Sequence, residues 1–208
     1  EVLVKKRATN YPLEYIINKA SFYGEMFIVK EGVLIPRPET EILVENAIEI
    51  LKDKKEIKVL EIGTGSGIIS VMLAMLIENI KIIAVDINEK ALDLAKQNAI
   101  KHGVENKIEF RLSNLYENVQ ENDIFMTISN PPYIANNYIL PTNVKYEPSN
   151  ALFGGVVGDE LLKDIIKATS EKKIPYLLCE MGYDQKTPLE NYFEEFNVDS
   201  FSFYKDYE

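Results

Sequence analysis

Cysteine and histidine are almost absent from this chain of 208 residues, which has one of each, Cys179 and His102. A single cysteine excludes an internal disulfide, and the apolar residues that precede it predict a thiol packed in a strand. One cysteine and one histidine do not make a zinc site of the usual kind, so we expect no metal. His102 lies beside Gly103 near a predicted helix end, and we expect it at the surface, without a role in acid–base chemistry.

Long apolar runs and an excess of positive charge are also missing. No apolar run approaches the ~18 residues of a membrane-spanning helix, and residues 1–15 lack the apolar core of a secretory signal. The net charge of −10 and the pI of about 4.8 disfavour tight nonspecific binding to nucleic acid, which draws on Lys and Arg at phosphates. A cytoplasmic protein fits these features, and we expect a monomer.

What the chain does have is an apolar content of 46%, enough for a sizeable core. From Lys58 onward, strand patterns alternate with helix patterns along the sequence. Such alternation predicts an α/β fold with a mainly parallel sheet and helices on both faces. The predicted strands are 58–62, 81–86, 107–112, 124–129 and 174–180, and the predicted helices are 39–51, 68–77, 88–101, 159–169 and 185–196.

A glycine-rich turn follows the first of these strands and reads Gly63-Thr64-Gly65-Ser66-Gly67. Glycines at every second position allow a tight turn and let the backbone approach a ligand closely, and the next helix offers unpaired N–H groups at its start. Asp86 ends the following strand, nineteen residues after Gly67, where a carboxylate can accept both hydroxyls of a ribose. The glycines alone could be a turn without a ligand, but together these features indicate a nucleoside-containing cofactor.

The glycine spacing and one acidic residue help to choose that cofactor. The glycines are spaced G-x-G-x-G, whereas the dinucleotide fingerprint is G-x-G-x-x-G. Glu61, just before the turn, would repel a pyrophosphate, but it suits a cation or an amino group. S-adenosylmethionine carries both a sulfonium and an amino group, so we expect S-adenosylmethionine as the cofactor.

The stretch SNPPYI, residues 129–134, ends the strand 124–129 abruptly, because two prolines remove two backbone donors. It could be only a proline turn after a strand. It could also be a rigid clamp, with the polar side chain of Asn130 and the aromatic wall of Tyr133. The glycine turn and Asp86 favour the clamp, because the carboxyl ends of parallel strands meet at one edge of a sheet.

Eight stretches of the chain resemble the HemK/PrmC family, class I S-adenosylmethionine-dependent methyltransferases that modify a glutamine side chain in peptide chain release factors. The stretches IPRPETE and NPPY in this order are quite specific, whereas NPPY alone also resembles motifs of enzymes that methylate amino groups of adenine or guanine. The eight stretches are PLEYI (12–16), FYGEMFIV (22–29), GVLIPRPETEILVE (32–45), LEIGTGSG (60–67), VDINEKALDLAKQNA (85–99), SNPPYI (129–134), YEPSNALFGG (146–155) and LLCEMGYDQ (177–185).

The resemblance implies a Rossmann-like methyltransferase sheet preceded by a small β-hairpin. Residues 1–20 would be the end of a missing N-terminal helical domain and a linker. Residues 21–36 would be the hairpin, turning at Lys30-Glu31-Gly32, and residues 37–208 would be the methyltransferase catalytic domain. Residues 198–204 alternate as a last strand, and the further antiparallel strand of the family is expected to be missing.

The resemblance also implies roles for single residues. Asn130 and the carbonyl of Pro131 would accept the two N–H groups of the target amide, and Tyr133 would pack on its flat face. These three are the expected catalytic residues, and with Pro132 they form the expected substrate site. Where the family often has an Asp near the adenine, this chain has Asn114, whose amide oxygen can still accept a hydrogen bond. The expected cofactor-binding residues are Glu61, Gly63, Thr64, Gly65, Ser66, Gly67, Asp86, Ile87, Asn114, Leu115 and Asn130.

Four charged residues of the quoted stretches receive a structural interpretation. Glu39 and Glu41 suit the start of a helix, where acidic side chains are stabilising. We expect Arg37 in a structural role. Glu147 could shape a substrate loop together with Tyr146 and Pro148, or it could be a solvated charge.

The expected activity is methyl transfer from S-adenosylmethionine to the side-chain amide nitrogen of a glutamine, with a peptide chain release factor as the protein partner. The alternative is a DNA or RNA methyltransferase that uses the same clamp on an amino group of adenine or guanine, which the acidic charge disfavours. A module that binds the cofactor without catalysis is a third hypothesis.

Overall fold

A computed structural model describes residues 1–196 and 198–205 of the chain. The helices are α1 (Val2–Arg7), α2 (Leu13–Ile17), α3 (Thr40–Leu51), α4 (Ile68–Leu76), α5 (Glu89–Lys101), α6 (Glu160–Glu171) and α7 (Lys186–Phe193). The strands are β1 (Lys19–Phe22), β2 (Glu25–Ile28), β3 (Ile57–Ile62), β4 (Ile80–Asp86), β5 (Ile108–Leu112), β6 (Met126–Ser129), β7 (Ile134–Ala135), β8 (Phe153–Gly155) and β9 (Tyr176–Cys179).

The central sheet has five strands in the order β5-β4-β3-β6-β9, and all four pairings are parallel. The chain runs outward from β3 to β5, then returns to the other side of β3 to form β6 and β9. The predicted α/β fold with a parallel sheet is therefore confirmed. The reversal of strand order between β3 and β6 matters for function, because ligands of such sheets bind where the order reverses.

Helices cover both faces of this sheet, as its strand sequences require. Val59 of β3 packs in a cluster with apolar residues of α3 and α4, whereas its neighbour Leu60 packs on the other face with Ile165 of α6. All three side chains are fully buried. A parallel sheet that is buried on both faces needs such continuous apolar strands. No helix of the described residues has the length and apolar character needed to cross a membrane.

The N-terminal hairpin is present, but its turn lies elsewhere than predicted. Strands β1 and β2 pair antiparallel around Tyr23 and Gly24, which both have positive φ, +53° and +77°. Two positive φ values are typical of the tight turn that joins paired strands. The hairpin therefore occupies residues 19–28, and the prediction of 21–36 with a turn at Lys30-Glu31-Gly32 is wrong. Glu41 contributes to this turn, since its carboxylate accepts the N–H of Tyr23 at 2.7 Å.

Asn98 of α5 joins the hairpin to the glycine turn. Its side-chain oxygen accepts the N–H of Ile28 at 2.8 Å, and its amide nitrogen donates to the carbonyls of Ile28 at 3.0 Å and Ser66 at 2.8 Å. The side chain is fully buried. Asn98 therefore fixes the separation between two segments that share no backbone hydrogen bonds with each other.

Two expectations from the sequence are wrong. His102 is not a surface residue, because β2 packs over the end of α5 and places the Phe27 ring 4.8 Å from the imidazole, whose side chain is 6% exposed. Residues 198–204 do not form a strand. Phe201 and Phe203 do share a face, since both contact Phe193, but alternation predicts a shared face and does not supply a pairing partner. Residues 206–208, where the family's last hairpin would turn, lie outside the described residues, so the expectation that its further strand is missing stays a prediction.

We predict that Asn98→Ala lowers the free energy of unfolding by about 2–4 kcal/mol, because three backbone groups, one buried and two partly buried, lose their partner. Urea unfolding monitored by circular dichroism measures the change. Lys96→Ala, an exposed position on the same helix, is the matched control and should change stability by less than about 0.5 kcal/mol. Equal stability of the two variants would contradict the bridging role of Asn98.

Candidate active site

The glycine turn and the SNPPYI stretch begin side by side. Ile62, the last residue of β3, pairs with Ser129, the last residue of β6, and the hydroxyl of Ser129 donates to the Ile62 carbonyl at 2.8 Å. Ile62 also pairs with Val85 of β4 on its other side. Because strand order reverses between β3 and β6, the two loops diverge and leave a crevice between them. The residue types that the sequence singled out therefore meet at one edge of the sheet.

A cleft occupies this crevice, and most of the predicted site residues line it. Those lining it are Glu61, Gly63, Thr64, Gly65, Ser66, Asp86, Ile87, Asn114, Leu115, Asn130 and Pro132. Gly67, Pro131 and Tyr133 lie outside its lining. Among residues 1–196 and 198–205, no three His, Cys, Asp or Glu side chains are close enough to hold a metal ion.

The first two glycines of the turn leave open space over the cleft. Gly63 and Gly65 have φ of +70° and +55°, a region that side chains disfavour. A Cβ added to Gly63 would meet nothing within 4 Å, and one added to Gly65 would meet only Val33 and Gly63, at 3.9 and 4.0 Å. A ligand can therefore approach the backbone of the turn without displacing protein atoms.

Gly67, the third glycine, has a packing role. Its φ is +82°, and an added Cβ would lie 2.9 Å from Cβ and 3.0 Å from Cα of Ala95. Its hydrogen atoms therefore face α5, which crosses closely at this point. The structure gives a physical reason for Gly67 that does not involve the cleft, where the sequence had suggested contact with a cofactor.

Glu61 places a buried carboxylate beneath the glycine turn. One oxygen, Oε2, accepts hydrogen bonds from the Thr64 hydroxyl at 2.8 Å, from the Ser70 N–H at 3.1 Å and from the Ser70 hydroxyl. The other oxygen, Oε1, is buried and has no partner among the described residues. Burial raises the pKa of Glu61 to about 7, and the hydrogen bonds from Ser70 and Thr64 act in the opposite direction.

Asp86 lies at the end of β4 and faces the turn from the other side. Its carboxylate accepts the N–H of Gly65 and the N–H of Asn88, both at 2.9 Å. Burial raises the pKa of this carboxyl group, although the backbone N–H groups of Gly65, Asn88 and Ile87 lower it. A carboxylate has about four acceptor positions, so two backbone donors leave Asp86 able to accept further hydrogen bonds from a ligand in the cleft.

The far end of the cleft combines apolar surface with one amide. Ile87 is 58% exposed and lines the cleft together with Leu115. Asn114 donates from its amide nitrogen to Glu117 at 2.9 Å. This hydrogen bond leaves the amide oxygen of Asn114 as an acceptor. The surroundings suit a flat, partly apolar group that carries a hydrogen-bond donor.

The segment 32–37, after the hairpin, forms a wall of the cleft that the sequence did not predict. The Tyr15 hydroxyl donates to the Val33 carbonyl at 2.6 Å, and Glu147 accepts the N–H of Ile35 at 3.0 Å while pairing with Arg37. The side chain of Glu147 is 3% exposed. The interpretation of Glu147 as a solvated charge is therefore wrong, and Arg37 has the structural role expected of it. The resemblance of PRPETE and YEPSNALFGG to one family was the signal that could have linked these residues.

Two side chains hold Asn130 and Tyr133 from behind. The amide nitrogen of Asn130 donates to the Thr40 hydroxyl at 2.9 Å, and that hydroxyl donates to Oε2 of Glu180 at 2.7 Å. The Tyr133 hydroxyl donates to Oε1 of the same carboxylate at 3.1 Å. Burial raises the pKa of Glu180, whereas the hydrogen bonds from Thr40 and Tyr133 and the nearby amide of Asn130 lower it. Sequence reasoning missed Glu180 and treated Thr40 only as part of a helix start.

The backbone of the SNPPYI stretch is held just as closely. Gln185 donates from its side chain to the Tyr133 carbonyl at 2.9 Å. A Cβ added to Gly154 would lie 2.3 Å from the Pro132 carbonyl oxygen, and one added to Gly158 would lie 2.5 Å from the Tyr133 carbonyl oxygen. The two glycines therefore let β8 and the turn that follows it pack directly on the stretch. Together with the fixed φ of the prolines, these contacts make the stretch rigid.

We predict that Gly67→Ala lowers the free energy of unfolding by about 2–4 kcal/mol, because it adds a clash with Ala95 to the cost of a positive φ. Gly103→Ala is the matched control, since Gly103 has φ of +69° but open space around it; it should cost only about 1–2 kcal/mol. Urea unfolding measures both. Ala95→Gly should lower the free energy of unfolding less in the Gly67→Ala protein than in the wild type. If the effects of the two substitutions on the free energy of unfolding were strictly additive, the proposed contact would be contradicted.

Comparison with known proteins gives this geometry a family context. The model of the family described as "Methyltransferase small domain" matches residues 39–144. A ribosomal protein L11 methylase from Lactobacillus delbrueckii subsp. bulgaricus is similar in structure, with a TM-score of 0.60 at 20% identity, over 85% of this chain and 79% of that chain. At this identity the likeness concerns the fold, and it agrees with the parallel sheet described above.

Curated relatives are more similar in sequence. The release factor glutamine methyltransferase of Fusobacterium nucleatum is 38% identical over 100% of this chain and 60% of its own length. The protein of the same name from Aquifex aeolicus is 37% identical over 98% of this chain and 74% of its own length. The chain thus spans between 60% and 74% of the length of these two relatives. With the matched family model and these identities, the chain belongs to the release factor glutamine methyltransferase family, within the proteins that carry a methyltransferase small domain.

Proposed function

We propose that the protein transfers a methyl group from S-adenosylmethionine to the side-chain amide nitrogen of a glutamine in a peptide chain release factor. The observation that carries this proposal is the position of the Asn130 side chain, an amide fixed from behind at the end of β6 and adjacent to the glycine turn. The names of the two relatives support the choice of substrate. The acidic net charge supports a protein substrate over DNA or RNA.

The residues that line the cleft fit S-adenosylmethionine. The buried and unpartnered Oε1 of Glu61 is suited to an amino group, and the open faces of Gly63 and Gly65 are suited to close approach of a ligand. Asp86 would accept the hydroxyls of the ribose, and the Asn114 oxygen would accept the adenine amino group between Ile87 and Leu115. When bound, this cofactor supplies an electrophilic methyl group on a sulfonium sulfur.

Asn130 and Pro131 would hold the target nitrogen. A primary amide nitrogen is a poor nucleophile, because its lone pair is delocalised into the carbonyl. The Asn130 side-chain oxygen would accept one of its N–H groups and the Pro131 carbonyl the other, and neither oxygen receives a hydrogen bond from the described residues. Two acceptors orient the nitrogen and favour the positive charge that develops on it.

The proposed methyl transfer needs no strong base before the nitrogen attacks. The target nitrogen would form its new bond to the methyl carbon, and the sulfur–carbon bond of the bound cofactor would supply that methyl group, with its electron pair kept by the thioether product. The nitrogen then carries a surplus proton, which leaves to water. Tyr133, whose pKa is raised by burial and by Glu180, stays protonated and would pack against the flat amide. Pro132, which lines the cleft beside it, would complete the substrate site.

The division of the chain is part of the same proposal. Residues 1–18 would be a helical segment with a linker, the hairpin of residues 19–28 would follow, and the catalytic domain would begin near residue 37. The chain matches part of its relatives' length, so recognition of a release factor would involve the full-length protein. The monomeric state and the cytoplasmic setting stay predictions.

The pKa of Glu61 predicts how binding of the cofactor product depends on pH. Glu61 is largely protonated below its pKa of about 7 in the free protein, and a cationic amino group binds the ionised form. The affinity for S-adenosylhomocysteine should therefore rise roughly tenfold from about pH 6 to about pH 7.5. Isothermal titration calorimetry over this range measures the change. Glu61→Gln should bind more weakly and lose this pH dependence; if the dependence persists, another group such as Asp86 is responsible for it.

Asn130→Ala tests the transfer itself. The full-length protein is incubated with its cognate release factor and labelled S-adenosylmethionine, and intact-mass analysis with peptide mapping locates the methyl group. We expect one methyl group on a glutamine with the wild type and a loss of about 10²-fold or more with Asn130→Ala. Affinity for S-adenosylhomocysteine should change less than about threefold. Asn137→Ala, at an exposed asparagine after β7, is the matched control with normal transfer.

Three outcomes separate the hypotheses. Label in nucleic acid but not in protein would favour the amino-methyltransferase alternative. Cofactor binding without transfer to either would favour a noncatalytic module. Normal transfer by Asn130→Ala would remove Asn130 from the proposed reaction.

A further inference from the structure

The contacts behind the clamp form a chain of hydrogen bonds with a fixed direction. Glu180 follows β9 and its N–H donates to the Ser129 carbonyl at 3.1 Å, so its carboxylate lies one strand away from Asn130. Thr40, the first residue of α3, lies between the two side chains and is 1% exposed. An ionised carboxylate can only accept hydrogen bonds. The Thr40 hydroxyl must therefore donate to Glu180.

This direction determines which end of the Asn130 amide faces Thr40. A hydroxyl has one hydrogen, and the hydrogen of Thr40 is used at Glu180, 2.7 Å away. Toward Asn130, 2.9 Å away, the Thr40 oxygen can only accept. The amide must therefore turn its NH2 group to Thr40 and its oxygen away from it. Amide orientation is otherwise assigned from the hydrogen-bond network, and here the carboxylate settles it.

We propose that Glu180, acting through Thr40, is a positioning residue that locks the acceptor oxygen of Asn130 toward the target amide nitrogen. This inference rests on the proposed function. It goes beyond it, because neither side chain is required by a mechanism in which Asn130 and Pro131 alone bind the amide. If the amide of Asn130 turned over, its NH2 group would face the N–H groups of the target, and the clamp would lose one of its two acceptors.

The same carboxylate also holds the aromatic wall. Its Oε1 accepts the Tyr133 hydroxyl at 3.1 Å while Oε2 accepts Thr40. One side chain thus fixes both the polar and the aromatic part of the clamp. In Glu180→Gln, one oxygen becomes an NH2 group. Whichever way that amide turns, either Thr40 or Tyr133 loses its acceptor.

Four variants of the full-length protein test the inference. Thr40→Val removes the hydroxyl at nearly constant volume, and Glu180→Gln removes the carboxylate; both should lower kcat for the cognate release factor by about 10²-fold. Thr40→Ser keeps the hydroxyl and should recover most of the activity that Thr40→Val loses. Affinity for S-adenosylhomocysteine and KM for S-adenosylmethionine should change less than about threefold in all of them. The double variant Thr40→Val/Glu180→Gln should have a kcat no lower than that of the less active single variant, because both substitutions break the same chain of hydrogen bonds.

Exposed positions of the same residue types provide the controls. Thr187→Val on α7 and Glu195→Gln after it are exposed and should transfer normally. A loss of kcat that is accompanied by an equal loss of cofactor affinity would indicate general damage to the site and overturn the inference. The inference would also be overturned if the wild-type protein transferred the methyl group and Glu180→Gln had the same kcat.

A spectroscopic measurement tests the chain of hydrogen bonds independently of activity. The side-chain NH2 signals of Asn130 in a 15N–1H spectrum can be identified by their loss in Asn130→Ser. They should shift in Glu180→Gln and Thr40→Val, and stay close to the wild type in Thr40→Ser. Unshifted signals in Glu180→Gln would contradict the inference even if the wild type showed no transfer, whereas shifted signals without transfer would support the orientation and count against the proposed function.

Discussion

The parallel pairing of β3 with β6 is the constraint on which the rest of the site depends. Register places Ile62 opposite Ser129, so the chain leaves both strands at the same level and in different directions. Shifting that register would separate the glycine turn from the SNPPYI stretch. The apolar faces of both strands resist such a shift, because Val59 and Leu60 are buried on opposite sides. The core thus determines the distance between the two halves of the cleft.

Three buried or partly buried carboxylates lie near strand ends at this edge of the sheet. Glu61 is the next-to-last residue of β3, Asp86 ends β4 and Glu180 follows β9. Burial raises the pKa of each carboxyl group. Each is partly stabilised by donors that belong to neighbouring segments. A carboxyl group whose pKa is raised by folding reduces the stability of the fold at neutral pH. Such a group is useful when it binds a positively polarised ligand group or fixes the direction of a hydrogen bond. Their concentration at one edge is typical of a functional site.

The sequence contained enough to predict the sheet, its helices and most residues of the cleft, because apolar periodicity and glycine spacing act locally. It did not contain the partners of those residues. In the sequence, nothing distinguishes Glu147 from other charged residues. In the structure it accepts the N–H of Ile35, which lies more than a hundred residues earlier in the chain. Thr40 and Glu180 meet only because α3 starts above β9. The hairpin turn was misplaced because Gly32 is also a turn glycine with φ of +88°, and turn chemistry alone does not say which strands pair.

The two prolines of the SNPPYI stretch have a consequence for selectivity. Proline has no N–H, so the backbone at Pro131 and Pro132 offers oxygen atoms and no donor. A glutamate side chain differs from glutamine only by presenting an acceptor where glutamine presents NH2, and its carboxylate would meet acceptors alone at this point. The unpaired charge would cost several kcal/mol in a partly desolvated cleft. Under the proposed function, the lack of donors at the two prolines would therefore discriminate between an amide and an acid of nearly identical shape.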